Sequence, residues 1–72
     1  MTKFSCTMSS GSFFYYVSLV AETPQEARDM ALAEGTQKLQ VTGSRPRDWS
    51  AAAVEADVAG PARILDSGRR NN

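Results

Sequence analysis

The chain has 72 residues, with eight basic and eight acidic side chains and a formal net charge of zero. This length predicts one small domain, near the lower size limit for a core without disulfides or metals. The charge balance excludes a global attraction to nucleic acid or anionic membranes. Histidine is absent and Cys6 is the only cysteine, which excludes disulfides, the usual zinc sites and imidazole-based catalysis. We therefore expect no enzymatic activity, no cofactor and no metal, and we expect Cys6 to be a core residue.

The N-terminal third is predicted to form a β-hairpin. Phe4, Cys6 and Met8 alternate with polar residues, which is the period of a half-buried strand. Residues 9–12, Ser-Ser-Gly-Ser, have turn chemistry, and a second strand is predicted from about Ser12 to Ala21.

The second strand carries four consecutive aromatic residues, whose side chains must alternate between the two faces of a sheet. An almost wholly apolar row is predicted to face the core: Phe13, Tyr15, Val17, Leu19 and Ala21. The opposite row consists of Phe14, Tyr16, Ser18 and Val20. We expect Lys3, Ser5 and Thr7 of the first strand to lie beside this second row.

A helix is predicted to begin at Thr23-Pro24-Gln25-Glu26. Thr23 suits the N-cap, Pro24 the first helical position, and Glu26 can close a capping box. Gly35 suits the end of the helix. The region is acidic and contains Glu22, Glu26, Asp29 and Glu34. These carboxylates indicate a solvated helix face, or alternatively a surface that competes for a basic groove built for nucleic acid.

Beyond the helix the pattern predicts more strands. Residues 37–42 alternate, with Leu39 and Val41 inward and Lys38 outward, which indicates a third strand. Residues 49–59 suit either a helix or a strand. A second hairpin with residues 62–66 is favoured, because Gly60-Pro61 can form the turn between them.

The predicted fold class is therefore α+β: a small antiparallel sheet, in the order β-β-α-β-β-β, with one helix packed on one face. The domain is predicted to span residues 1–67, followed by a flexible C-terminal tail over residues 68–72. No apolar run reaches the ~18 residues of a membrane helix, and the start of the chain lacks signal-peptide features. We expect a cytoplasmic protein that does not bind membranes.

One helix covers only one face of a sheet, so the sequence predicts that Phe14 and Tyr16 lie on the other face. Rigid aromatic side chains flanked by polar groups are typical of protein-binding patches. We therefore predict Phe14 and Tyr16 as anchors of a partner site, with Lys38, Arg45 and Arg47 as its charged rim.

Three alternatives remain open for the aromatic face. Arg45, Trp49 or the C-terminal hairpin could cover the two rings, or a homodimer could bury them. A third alternative is single-stranded nucleic acid, since bases stack on sheet aromatics with basic residues nearby.

The run FYYVSLVAETPQEARDMALAEG, within residues 13–35, is a strand that leads through a Thr-Pro cap into a short helix. It resembles the small accessory proteins of phages and other mobile genetic elements. The order of elements is similar to that of some small anti-CRISPR proteins. This resemblance implies a non-enzymatic inhibitor that binds a CRISPR effector complex, often blocking its access to DNA, in the cytoplasm of the host cell. It assigns no functional residue.

Overall fold

The computed structural model describes residues 1–71 and contains one antiparallel sheet with one α-helix on one face. The elements in chain order are β1 (Thr2–Ser10), β2 (Phe13–Ala21), α1 (Pro24–Gln37), a short 3-10 helix (Pro46–Asp48), β3 (Ser50–Glu55) and β4 (Arg63–Asn71). The four strands lie in the order β3-β1-β2-β4. The predicted α+β class is confirmed, and β1 and β2 form the predicted hairpin.

The predicted third strand over residues 37–42 is wrong. Helix α1 continues to Gln37, Lys38 is its C-cap, and Gln40 adopts a left-handed φ of 59°. The Val41 amide donates to the Gly35 carbonyl at 2.9 Å, which turns the chain back toward the helix. Val41 is buried and Leu39 packs against the core. The alternating pattern thus comes from a loop that inserts two apolar side chains rather than from a strand.

The predicted second hairpin is also wrong, although both of its segments are strands. β3 pairs with β1 and β4 pairs with β2, so the two lie at opposite edges of the sheet. The helical alternative for residues 49–59 fails because β3 occupies 50–55. Because β2 and β3 are both antiparallel to β1, they run parallel to each other, with α1 as the connection across β1.

The predicted tail is wrong for residues 68–71, which belong to β4 and pair with residues 13–16 of β2. Asn72 lies outside the described residues. β4 contains a bulge opposite Ser18 and Leu19, with Leu65 as the extra residue. This bulge breaks the alternation of inward and outward residues, and the strand is polar beyond it, so the sequence pattern hides the strand.

The loop 56–62 connects the two edge strands across one end of the sheet. β3 ends opposite Lys3 and β4 begins opposite Val20, and those two residues pair with each other. Val58 exchanges backbone hydrogen bonds with Met1, at 2.7 and 3.2 Å. Arg63 Nη1 donates to the carbonyls of Ala59 and Pro61, at 3.1 and 2.8 Å. These bonds hold the loop against the end of the sheet.

Small residues bring α1 close to the sheet. Ala27, Ala31 and Gly35 recur every four residues and are the buried positions of the helix. Trp49, which is 1% exposed, packs against Gly35, where no side chain intervenes. The rest of the buried cluster comes from β1, β2 and the loop before β3: Phe4, Cys6, Met8, Tyr15, Val17, Leu19, Ala21 and Val41. The predicted core row of β2 is confirmed, with Phe13 half-buried at its end.

The predicted helix start is confirmed. Thr23 Oγ1 accepts a hydrogen bond from the Glu26 amide at 3.1 Å, and Pro24 is the first helical residue. Glu26 Oε1 accepts from the Glu22 amide at 3.2 Å rather than from the amide of the N-cap residue Thr23, so the predicted capping box does not close in its usual form. The local capping chemistry therefore fixes where the helix begins.

Candidate functional site

We call the side of the sheet opposite α1 the open face. Directly paired residues of an antiparallel sheet share a face, so the strand register identifies its members. They are Lys3, Ser5, Thr7 and Ser9 of β1, Phe14, Tyr16, Ser18 and Val20 of β2, Ser50, Ala52 and Glu55 of β3, and Arg63, Asp66, Gly68 and Arg70 of β4. In the described part of the chain no second layer of strands or helices packs on this face.

Tyr16 lies on the open face, above Gly68 of the neighbouring strand. The two residues are directly paired, and a Cβ at position 68 would overlap the Tyr16 phenol group. The Arg70 guanidinium lies over the same ring, with its carbon 5.3 Å from the ring centroid. The absence of a side chain at Gly68 therefore leaves room for the Tyr16 ring on the sheet, and Arg70 makes a cation–π contact with that ring.

Phe14 is the second aromatic residue of the open face. It is paired with Ser9 on one side and with Arg70 on the other, and it is half-buried. Between Tyr16 and β3 the open face is polar: Thr7 Oγ1 and Ser50 Oγ form a hydrogen bond at 2.7 Å. We call Phe14, Tyr16 and Arg70 the aromatic patch.

The two ends of the open face differ. Val20 is fully buried, at the end where the loop 56–62 crosses. Lys3 lies opposite Glu55 in the same row of the sheet, so two opposite charges adjoin there. The aromatic patch lies at the other end, near the β1–β2 turn, and Arg70 is its only charged residue. The uncovered, apolar part of the open face is therefore confined to the end near the β1–β2 turn.

The predicted rim residues do not join the aromatic patch. Lys38 follows α1 and lines a depression on the helix side of the sheet together with Arg69. Arg45 is the N-cap of the 3-10 helix and Arg47 lies within it; both are exposed, and this helix contacts α1. None of the three belongs to a strand of the open face, because the third strand that would have brought Lys38 beside β2 does not form.

The acidic residues of the helix region have local partners. Glu34 Oε2 accepts from Ser67 Oγ at 2.7 Å and so ties α1 to β4. Asp29 Oδ1 accepts from the Gln25 amide group at 3.2 Å, and Glu26 Oε1 accepts from the Glu22 amide. Glu22 is exposed before the helix. Three of the four carboxylates thus accept hydrogen bonds from within the chain, which favours a structural role for them over a free acidic surface.

Cys6 is fully buried against α1, with its sulfur 3.8 Å from the Ala27 carbonyl oxygen. Burial raises the pKa of the Cys6 thiol from its ordinary value of 9.0 to about 11, against a smaller lowering by the Arg28 charge. The thiol is therefore protonated at neutral pH and shielded from solvent, which does not suit a nucleophile. Because the unfolded thiol ionises first, this group's contribution to stability declines as pH rises from about 9 toward 11.

Sequence reasoning considered Arg70 only as a source of charge for nucleic-acid binding and did not place Arg70 or Gly68 in the partner site, because residues 68–72 were expected to be a tail. The available signal was a glycine followed by two arginines in a short polar segment, GRRN. A glycine opposite an aromatic residue on a neighbouring strand is a known packing arrangement. It becomes visible only when the strand pairing is known.

Comparisons with known proteins found no match: no protein-family model, no curated protein and no solved structure. Within residues 1–71, no helix combines the length and apolar character needed to cross a membrane. The same residues contain no group of three or more Cys, Asp or Glu side chains placed to hold a metal ion. The candidate site therefore depends on the geometry of the open face alone.

Proposed function

We propose that the protein is a non-enzymatic binding protein that attaches to another protein through the aromatic patch of its open face. One observation carries this proposal: the sheet has its helix on one face only, and the other face presents Phe14 and Tyr16 beside Arg70. Tyr and Arg are among the residues that most often dominate binding energy at protein interfaces. The fixed strands beneath them reduce the entropy lost on binding.

A protein partner suits this patch better than single-stranded nucleic acid. The Arg70 guanidinium lies over the Tyr16 ring, and Gly68 adjoins the hydroxyl end of that ring, so a stacked base would have to displace Arg70 from the face that it covers. Arg70 is also the only cation of the patch, whereas a protein groove that binds nucleic acid contacts the phosphates of the backbone with several lysines or arginines. A partner that presents a carboxylate to Arg70 and apolar side chains to Phe14 satisfies both features.

The resemblance of residues 13–35 to accessory proteins of mobile elements suggests which partner to assay first. In this version of the proposal, the chain is an anti-CRISPR inhibitor. It occupies a CRISPR effector complex in the host cytoplasm and blocks the access of that complex to DNA. The fold is compatible with such inhibition, because blocking access to DNA by stoichiometric binding requires no catalytic group.

Replacing Phe14 with alanine should weaken partner binding at least ~30-fold, corresponding to about 2 kcal/mol for an interface anchor. Arg70→Glu should weaken it as well, because the carboxylate partner would face a like charge. The measurement is the dissociation constant for purified CRISPR effector complexes, by calorimetry, with an arm of single-stranded oligonucleotides at low salt.

Arg47→Gln is the matched control, because Arg47 is an exposed cation outside the open face. It should bind like the wild type, and the melting temperature of each variant should be recorded alongside. A partner bound equally well by all variants would show that the open face is not the binding surface. Strong, salt-sensitive oligonucleotide binding that is lost in Phe14→Ala would instead favour nucleic acid.

A further inference from the structure

A second surface feature lies on the helix side of the sheet, away from the aromatic patch. It is a depression of about 310 Å³ between the end of α1 and the end of β4, lined by Lys38, Leu39, Gln40 and Arg69. We propose that this depression binds a small anion that carries carboxylate or phosphate groups. Its volume is at the low end for small-molecule sites, which limits the ligand to a few functional groups.

Most of the polar side-chain groups that line the depression are hydrogen-bond donors. Lysine and arginine donate hydrogen bonds and cannot accept them, and the glutamine side chain adds two N–H donors beside one carbonyl acceptor. Among residues 1–71, no carboxylate lines it. Two cations from separate parts of the chain, Lys38 and Arg69, therefore line the same depression, together with one apolar side chain, Leu39. Arginine can meet two oxygens of one carboxylate or phosphate, while lysine acts as a point charge.

Arg69 is held in position before a ligand arrives. Its guanidinium carbon lies 4.5 Å from the centroid of the Phe13 ring, which itself packs against the core. A guanidinium placed over a ring keeps its N–H groups available at its edges, and it is weakly hydrated compared with an ammonium group. Binding an anion there costs less ordering than binding to a freely rotating arginine.

The other wall of the depression is the turn after α1, which is also fixed. The Lys38 amide donates to the Glu34 carbonyl at 2.8 Å, and the Val41 amide donates to the Gly35 carbonyl at 2.9 Å. Between these bonds, Gln40 adopts its left-handed conformation. The backbone positions of Lys38 and Gln40 are thus set by hydrogen bonds to the last turn of the helix.

Two nearby negative charges disfavour a bound anion and so limit the affinity that we expect. The C-terminal end of α1 carries partial negative charge, and Glu34 lies one helical turn before Lys38. The Glu34 carboxylate is engaged by Ser67 at 2.7 Å, and its one charge stands against the two of Lys38 and Arg69. The balance remains positive, so we expect weak, saturable binding that is sensitive to salt.

The test is an NMR titration of the full chain with inorganic phosphate and, separately, with citrate, at constant ionic strength. We expect saturable shifts of the Gln40 amide and of the Arg69 side-chain N–H. Arg69→Gln and Lys38→Gln should each weaken binding at least about tenfold, as the loss of one charged hydrogen bond predicts. Arg47→Gln should bind like the wild type. Saturation by only one of the two anions identifies the group that the depression prefers.

Shifts that grow linearly without saturation, or that persist unchanged in both variants, would overturn the proposal, because they indicate general ion screening. Lys38→Gln keeps the test valid even if Arg69→Gln disturbs the packing of Phe13, since Lys38 is exposed and lies on the other wall. The result is independent of the aromatic patch, because Phe14→Ala should leave anion binding unchanged.

Discussion

Trp49→Ala should lower the melting temperature of the protein by roughly 12–40 °C. Trp49 is the largest fully buried side chain and packs against α1 at Gly35. Truncating a buried tryptophan costs about 3–5 kcal/mol, whereas a chain of 72 residues has a total stability of roughly 4–11 kcal/mol. Each kcal/mol corresponds to about 4–8 °C in melting temperature at this size. Circular dichroism melting curves provide the measurement.

Trp49→Phe is the matched variant, because it keeps an aromatic ring in the same place. The Trp49 indole Nε1 is buried and has no hydrogen-bond partner among residues 1–71. The variant removes this unsatisfied donor along with part of the ring, so its loss should be clearly smaller than that of Trp49→Ala. A melting temperature that is nearly unchanged in Trp49→Ala would contradict the placement of Trp49 in the core.

Gly35→Ala should destabilise the protein by about 1–3 kcal/mol, as overpacking of a core does. An alanine inside a helix normally stabilises by up to about 1 kcal/mol relative to glycine, so the expected sign is the reverse of the usual one. A Cβ at this position would lie 2.6 Å from Trp49 Cζ2, and the buried Trp49 ring has little room to move. Chemical denaturation provides the free energy of unfolding.

Two controls separate the steric effect from helix propensity. Thr36→Ala changes the next helical residue, which is exposed, and should alter stability by less than about 0.5 kcal/mol. The double variant Gly35→Ala with Trp49→Phe should recover part of the loss, because the overlapping Cζ2 belongs to the six-membered ring of the indole. A higher melting temperature in Gly35→Ala alone would contradict the close approach of Trp49.

The hairpin and the helix start could be predicted because their signals are local. The alternation of Phe4, Cys6 and Met8 determines which face is buried, and Thr23 with Pro24 determines where α1 begins. The helix end was predicted two residues early, at Gly35. Glycine is placed there for the contact with Trp49, and the helix continues through it to Gln37.

The pairing of the edge strands could not be predicted, because it depends on contacts between distant parts of the chain. Both edge strands contain a bulge, at Val54 in β3 and at Leu65 in β4, which shifts the alternating pattern that the prediction uses. β4 is polar at its end because it is an edge strand, where arginines also discourage pairing with other chains. Its residues therefore have the composition of a tail while forming a strand.

The candidate site was half predictable for the same reason. Phe14 and Tyr16 follow from strand periodicity, and the structure places both on the open face. Their charged neighbour, Arg70, follows only from the register between β2 and β4. Lys38 was expected there on the basis of a third strand that does not form, and Arg45 and Arg47 on the basis of the loop that follows it.

We expect the open face to be free in the isolated chain and available to a different protein. Light scattering of the purified protein provides the test, with Phe14→Asp measured beside the wild type. Both should have a mass of 7.8 kDa, that of one chain. A wild-type mass twice as large, reduced to that of one chain in Phe14→Asp, would contradict this expectation and show that the aromatic patch is a surface for self-association.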